Sequence, residues 1–552
     1  DHSKARGYYQ RVLQAQPKRP EARLGMMQSW IAEGDLSRVR QALATQPLQL
    51  TDLTVGGQQR LAEVWVALGE KQKAARLLER IAAQQPQPDP LLRRDAARLV
   101  AADDPQRALD LYAAAMADAQ LLGRSALSPR DDRAMTLASR ANDADDWLVR
   151  SLRSDVDELY RQRNTHVTLM HDYGWRKNDG TPGISRLNTQ STLLHVDTPW
   201  DDGTAFARVE RIGMDAGSFD LNEDGRNTAD FGTCQFEGVT RNGAALPTCR
   251  GGSQTADGGV LALGWQNDRW GFDLGTTQGY EVNNWLGGAI VNGDLGQVGW
   301  SLAASRRPMS NSLLSFAGAR DPATGVRWGG VTANGATLGL SWDQGGDHGV
   351  WASLGHHWLY GENVADNQRT RAMAGYYYRA IETADERMRV GLTLMHWRYD
   401  KDLGGYSLGQ GGYYSPQRYQ SVGVPVSYAW RNYDWSFLVE GSVSWSRAHS
   451  DSSRLYPDSR ISRKLLARYD VVESNIDATV DASDSTGLGY RLHGAVERRL
   501  SDHWAMGAGF DWQHSDDYAP SHAVFYVRYL FEPWRGNLAL PVTSLEPYSE
   551  WR

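Results

Sequence analysis

From about residue 163 to Phe531 this chain alternates apolar side chains with small or polar ones, in segments of ten to fifteen residues. In the run from Trp435 to Ser446, the residues Trp435, Phe437, Val439, Val443 and Trp445 share one parity. Ser436, Glu440, Ser442, Ser444 and Ser446 share the other. Successive side chains on a strand point to opposite faces, so the segment is apolar on one side and polar on the other. Many such segments in series, with aromatic residues near their ends and turns alternately short and long, are the pattern of a transmembrane β-barrel. A soluble sandwich or propeller is the competing fold, and strands this long are unusual in soluble sheets.

The segments fall near 163–175, 185–198, 203–213, 258–268, 269–279, 293–306, 308–318, 334–344, 348–361, 368–382, 386–400, 416–430, 433–447, 484–500, 502–515 and 520–531. That is sixteen strands, and an even number leaves both barrel ends on the periplasmic side of a bacterial outer membrane. Even-numbered segments are followed by very short turns, among them Asp268, Arg307 and Ser501; odd-numbered ones precede longer loops, notably 214–257 and 448–483. Those two loops are expected to fold over the outer mouth and gate it. Trp200, Trp270, Trp342, Trp430, Trp435 and Trp504 flank the short turns, where an interfacial aromatic girdle belongs.

The part before residue 160 is different. It holds only three of the 21 tryptophans and seven of the 56 glycines, and is rich in Ala, Leu, Gln and Arg, hence helical. Ala74 and Ala108 are 34 residues apart, as are Leu77 and Leu111; Gly34 and Gly69, and Trp30 and Trp65, are 35 apart. Paired helices at that period are tetratricopeptide repeats, a docking scaffold or a spacer. The fold class is thus an N-terminal α-solenoid of this type followed by a sixteen-stranded antiparallel outer-membrane β-barrel. Periplasmic repeats are assigned to 1–150, a connecting helix to 151–163, the barrel to 164–531 and a tail to 532–552.

A net charge of −7 and a pI near 6.0 give no electrostatic footprint for nucleic acid. There is no run of eighteen apolar residues, so no transmembrane helix is expected. The chain opens at Asp1, and is read as a piece of a longer exported protein.

The parity opposite to the apolar one points into the lumen, and places Arg208, Glu210, Gln266, Glu440, Arg491, Glu497, Asp511 and Arg528 there as channel-lining residues. Small residues such as Gly339, Gly391 and Gly423 share that face. Mixed charges with small residues suit a neutral, hydrated cargo; an anionic polymer would want an excess of arginine and lysine. The competing role for each charge is to pair with a cross-strand neighbour and stiffen the wall.

The run Gly411-Gly412-Tyr413-Tyr414-Ser415-Pro416-Gln417-Arg418-Tyr419, followed by Val424-Pro425-Val426, resembles the glycine-aromatic-Ser-Pro-Gln segment of the cellulose synthase operon protein C family. The resemblance spans the barrel and the last repeats before it. It implies an outer-membrane conduit for cellulose, a β-1,4-glucan made at the inner membrane, with further repeats crossing the periplasm. The implied partners are the polymer itself, the inner-membrane synthase complex or peptidoglycan through the repeats, and outer-membrane lipid. Exporters of poly-N-acetylglucosamine or alginate are the nearest alternatives, with a barrel enzyme or a general porin behind them.

Cys234 and Cys249, the only cysteines, lie in the 214–257 loop and in an exported protein read as a disulfide. Asp220, Asn222 and Asp224 match the start of a calcium loop, but Phe231 stands where the closing glutamate belongs, and an Asx-rich turn is the alternative. Calcium is therefore a weak candidate, and otherwise no cofactor is expected. His356 and His357 point to opposite faces of a strand, and no Gly-x-Ser-x-Gly, His-Glu-x-x-His or P-loop is present, so no catalytic residue is assigned. Beyond Phe531, Trp534, Tyr548 and Trp551 are rings of the kind that stack on sugars. The tail that carries them is expected to fold back to the periplasmic mouth and line or narrow it. No lipid-face interface is evident, so the barrel is read as a monomer.

Overall fold

The structure, a computed structural model, describes all residues except 1, 88, 128, 177–179, 220–229, 237–239, 242–243, 246–251, 462–476, 516–518 and 549–552. It divides into two compact units: residues 1–163 with Pro533–Asn537, and residues 164–532 with 538–552.

The first unit is helical. Its helices are α1 (His2–Ala15), α2 (Pro20–Ala32), α3 (Leu36–Thr45), α4 (Val55–Ala67) and α5 (Lys71–Gln84). They continue as α6 (Pro90–Val100), α7 (Pro105–Asp118), α8 (Asp132–Ala138) and α9 (Trp147–Arg163). The 34-residue period has a packing cause: Ala74 and Ala108 are fully buried and Leu77 and Leu111 nearly so, because each repeat offers the same small and apolar positions to its neighbour. Gly34 and Gly69 turn the chain at φ +79° and +84°, where a side chain would be strained. Asp35, Thr54, Asp89 and Asp104 cap α3, α4, α6 and α7 by accepting from backbone N–H groups of the first turn. The last helix starts at Trp147 rather than 151, because Asp146 accepts from Val149 N at 2.9 Å and opens it earlier.

The second unit is a barrel of sixteen antiparallel strands. They begin with β1 (His166–Arg176), β2 (Leu187–Trp200), β3 (Gly203–Ser218), β4 (Ser253–Gln266), β5 (Trp270–Gln278) and β6 (Trp285–Leu295). Next come β7 (Val298–Pro308), β8 (Arg327–Asp343), β9 (His348–Glu362), β10 (Asn367–Glu382) and β11 (Glu386–Tyr399). The circuit ends with β12 (Arg418–Arg431), β13 (Trp435–Ser450), β14 (Ser483–Arg499), β15 (Trp504–His514) and β16 (Pro520–Leu530). Each strand pairs with its sequence neighbours, and β1 closes on β16 with His166 opposite Leu530, so no edge is left open. Leu194, Val209, Leu263, Leu354, Val439 and Phe525 are among the large apolar side chains exposed on the outer wall. Trp200, Trp270, Trp342 and Trp504 stand exposed beside the short turns. No helix is long and apolar enough to cross a membrane among the described residues; the strands cross it. The barrel lies in the bacterial outer membrane, with both of its ends on the periplasmic side.

Two expected strands fall elsewhere. Instead of 293–306 and 308–318, the sheet uses β6 and β7, joined by a two-residue turn in which Gly296 sits at φ +65°. Residues 309–318 leave the sheet, because Ser312 and Ser315 form a reciprocal cap that starts a short helix, α10 (Leu313–Ala317). The second external loop is also shorter than 214–257, since β3 runs to Ser218 and β4 starts at Ser253.

Candidate functional site

The lumen is divided lengthwise, and the tail divides it. Leu538 O accepts from Arg431 Nη1 at 2.7 Å, Ala539 O from Ser436 Oγ and Leu540 O from Arg387 Nη1, each at 2.6 Å. Leu540 and Val542 then pack on Ala429, Leu438 and Ala495, and Leu545 on Met170, Leu193 and Tyr526. Tyr548 is fully buried among Leu187, Ile212, Met214 and Leu286, past the middle of β3. Its N–H donates to Glu210 Oε2 at 3.0 Å and its phenol to Asp273 Oδ2 at 2.5 Å, and Asp273 in turn receives Arg307 at 2.6 Å.

The tail therefore does more than edge the mouth: Tyr548 is buried deep against the inner wall. Trp534 packs within the helical unit, where the Arg161 guanidinium lies 4.9 Å from its ring and Arg535 N donates to Thr136 Oγ1 at 3.1 Å. The cause is its position: Pro533–Asn537 belongs to the helical unit, and only residues from Leu538 onward belong to the barrel. Trp551 lies outside the described residues.

The charged residues expected in the lumen all have inward parity, and most are tied up there. Arg208 and Glu210 are buried where the tail covers the wall, and Ser191 Oγ donates to Glu210 at 2.8 Å. Glu497 receives Tyr526 OH at 2.6 Å and Arg528 at 3.1 Å. Arg491 donates from Nε to both Asp511 oxygens at 3.0 and 3.1 Å. Glu440 and Arg491 line an open cavity, and Gln266 is exposed near the periplasmic end.

Away from these tail contacts, the wall from β6 to β13 is open. A cavity of about 960 Å³ is bordered by Asn292, Ser301, Gly339, Ser341, Trp351 and Ser353. A second, of about 190 Å³, continues past Trp351 to Thr393, Pro425, Ser427 and Ser442. Hydroxyls and glycines dominate, and one ring stands between the two cavities. Trp351 lies flat against the wall because its cross-strand partner is Gly375, where a Cβ would collide with the indole. Sequence parity already marks Trp351 as inward, with Ser353 and opposite to the exposed Val350, Leu354 and Trp358, and the glycine facing it makes room for the ring.

At the outer end the loops meet. Ile184 after β1, Phe219 and Phe231 after β3, Leu314 after β7, Leu403 and Tyr413 after β11, and Tyr456 after β13 share one apolar core with Trp328. These loops rise from opposite sides of the barrel, so a common core closes the mouth. Ser312 Oγ donates to Gly412 O at 2.6 Å, and Asp321 accepts from Thr233 N at 2.9 Å and Thr233 Oγ1 at 2.7 Å. Burial pushes the Tyr413 phenol well above its ordinary pKa, and its oxygen accepts from Asn367 Nδ2 at 3.0 Å. The cap draws on the loops after β3 and β13, as expected, and on 309–326 and 400–417, which carried no such expectation. Cys234 in this core is disulfide-bonded; Cys249, and the calcium candidates Asp220, Asn222 and Asp224, lie outside the described residues.

Residues 185–532 match the family described as cellulose synthase operon protein C C-terminus, and residues 1–53 match a tetratricopeptide repeat family. Cellulose synthase operon protein C of Salmonella typhimurium strain LT2 is 42% identical over 562 residues, covering 100% of this chain and 46% of the relative. Its counterpart in Escherichia coli K12 is 40% identical over 560 residues, covering 100% and 47%. The chain thus spans about half the length of these relatives. Among solved structures, a bacterial polysaccharide outer membrane secretin aligns with 67% of this chain and 99% of its own at 11% identity and a TM-score of 0.41. With its match covering nearly the whole barrel, the chain belongs to the cellulose synthase operon protein C C-terminus family.

Proposed function

We propose that the barrel is the outer-membrane passage for cellulose, carried from the periplasm to the cell surface. The observation that carries this reading is the divided lumen. One wall lies buried beneath the tail, while the other stays open, small and rich in hydroxyls around a single flat indole. A neutral glucan slides best along such a surface, which offers many weak, exchangeable hydrogen bonds and no deep well. Arg208, Arg307, Arg491 and Arg528 are balanced by Glu210, Asp273, Asp511 and Glu497, and on the open wall Arg379 pairs with Asp343 while Arg387 and Arg389 share Glu382. Passage needs no cofactor and no bond-making, so the chain acts as a conduit rather than an enzyme. Elongation by the inner-membrane synthase supplies the push, and the repeats engage that complex or peptidoglycan. The barrel works as a single copy.

The test is extracellular glucan in a strain lacking the full-length protein, with and without complementation, scored by sensitivity to a cellulase. Loss of cellulase-sensitive polymer outside the cell, with synthase activity intact, is the expected result. Unchanged secretion would turn the cargo assignment toward another polysaccharide.

A further inference from the structure

Arginines at the external rim of the lipid-facing wall fall into two groups. On one flank they are satisfied within the protein. Arg211 on β3 pairs with Asp257 at 2.8 Å, and Arg306 on β7 donates to Trp285 O at 2.9 Å and to Asn334 Oδ1 at 2.7 Å. On β11, β12 and β13 they are not. His396, Arg398, Arg418 and Arg447 are exposed at outward positions, and none of the four has an ion pair or hydrogen bond among the described residues.

The register puts them side by side. His396 faces Gln420, Gln420 faces Arg447, and Arg398 and Arg418 occupy the next outward positions of their ladder. At about 4.8 Å between strands, three guanidiniums fall across roughly 10 Å of wall. Arg418 faces His449, and like charges gathered on neighbouring strands repel and destabilise a sheet. Asp451 and Asp484, on the same rim, are both held by His449 at 3.1 and 2.9 Å, and Asp400 makes no ion pair with the group. The outward residues just below are Leu394, Val422, Val424 and Trp445, all exposed to the hydrocarbon.

Uncompensated guanidiniums directly above an acyl-chain surface need an anion that is itself anchored in the membrane. Guanidinium and phosphate match as bidentate partners. We propose that Arg398, Arg418 and Arg447 bind the phosphorylated head of an outer-leaflet glycolipid, with His396 and Gln420 beside it and its acyl chains against Leu394, Val422 and Val424. The site lies on the outside of the barrel, and its occupancy is independent of what passes through the lumen.

The experiment uses the full chain extracted from outer membranes in mild detergent, with lipid A retained on the folded barrel measured by mass spectrometry. Wild type and the control Arg211→Gln are expected to retain bisphosphorylated lipid A equally. The triple variant Arg398→Gln, Arg418→Gln, Arg447→Gln should retain roughly tenfold less, having lost the charge-assisted contacts. Dephosphorylated lipid A added back should fail to bind wild type, and millimolar inorganic phosphate should not displace the bound lipid. Equal retention by the triple variant overturns the proposal, as does equal binding of the dephosphorylated lipid. Displacement by free phosphate overturns it in favour of a simple anion site. Folding is read separately from heat-modifiable gel mobility. If the triple variant does not assemble, Arg418→Gln alone is measured in the same way, and unchanged retention there overturns the proposal.

Discussion

The backbone N–H of Tyr548 donates to Glu210 Oε2 at 3.0 Å, tying the tail to the inner wall of β3 across 338 residues of sequence. The same residue reaches β5 through Asp273, which also holds Arg307 from β7. At Tyr548 the tail is thus locked into the barrel beside a buried ion pair that its phenol completes.

The two anchors should differ in weight. Tyr548→Phe removes the phenol's bond to Asp273 and the long one it accepts from Arg307 at 3.4 Å, while Arg307 keeps its carboxylate, a loss of about 1 kcal/mol. Asp273→Ala takes away the charge facing a largely buried guanidinium, and breaking such a pair costs about 3–5 kcal/mol. The temperature at which the folded barrel loses its fast gel mobility should fall far more for Asp273→Ala than for Tyr548→Phe. Equal shifts would mean that the ion pair is not what fixes the tail.

Two glycines on neighbouring strands separate passage from stability. Gly423 points into the open half of the lumen, and a Cβ there would sit 3.5 Å from Ser444 Cβ, an ordinary contact. Gly441 points outward and has nothing within 4 Å. Gly423→Tyr should assemble normally yet obstruct the path; adding ~1.4 kcal/mol to the passage barrier slows export roughly tenfold. Gly441→Tyr should leave export unchanged. Cellulase-sensitive glucan outside the cell, normalised to folded barrel, reads both, and obstruction by neither would place the path elsewhere.

Trp351 is the ring on which a sugar face can rest. Removing it with Trp351→Ala should weaken binding of a cello-oligosaccharide to the detergent-solubilised barrel by ~1 kcal/mol, the size of an aromatic contact, or roughly fivefold in affinity. Titration calorimetry measures this, and Trp358→Ala, on the outward face, is the matched control that should bind as wild type does.

Much of the barrel is legible from parity alone, because a one-residue slip would turn every apolar side chain of a strand into the lumen. For that reason Arg208, Arg491, Asp511 and Arg528 are assignable to the inside without knowledge of any contact. The stretch 309–318 reads as a strand because Leu314 and Phe316, two residues apart, imitate one, and its helix cap uses Ser315 where a glutamate would be the familiar cue. The tail carries a readable signal too. Leu538, Leu540 and Val542 alternate and are all buried, an extended strap with one apolar face. The prolines around them suggest irregular chain instead. Nothing in the sequence distinguishes a tryptophan that packs against a guanidinium, as Trp534 does, from one that waits for a sugar.

Gly412 offers the sharpest test of the outer cap. It sits at φ +65° in the loop after β11, and a Cβ there would approach Ser312 Oγ to 2.8 Å and Leu314 Cβ to 3.1 Å. Gly412→Ala therefore combines a left-handed backbone penalty of about 1–2 kcal/mol with crowding against the start of α10, where Ser312 donates to Gly412 O. The cap should loosen while the sheet beneath stays intact. Gly345→Ala carries a similar backbone penalty at φ +74°, but lies in a short periplasmic turn with nothing within 4 Å, so it is the control. In planar bilayers Gly412→Ala should open more often than wild type, and cells carrying it should become sensitive to large hydrophilic antibiotics; Gly345→Ala should do neither. Asp321→Ala, which removes the acceptor joining Thr233 to the 309–326 loop, should act in the same direction as Gly412→Ala. If both cap variants conduct as wild type does, the apolar core shared by the loops is not the barrier to passage, and the constriction must lie deeper, where the tail narrows the lumen.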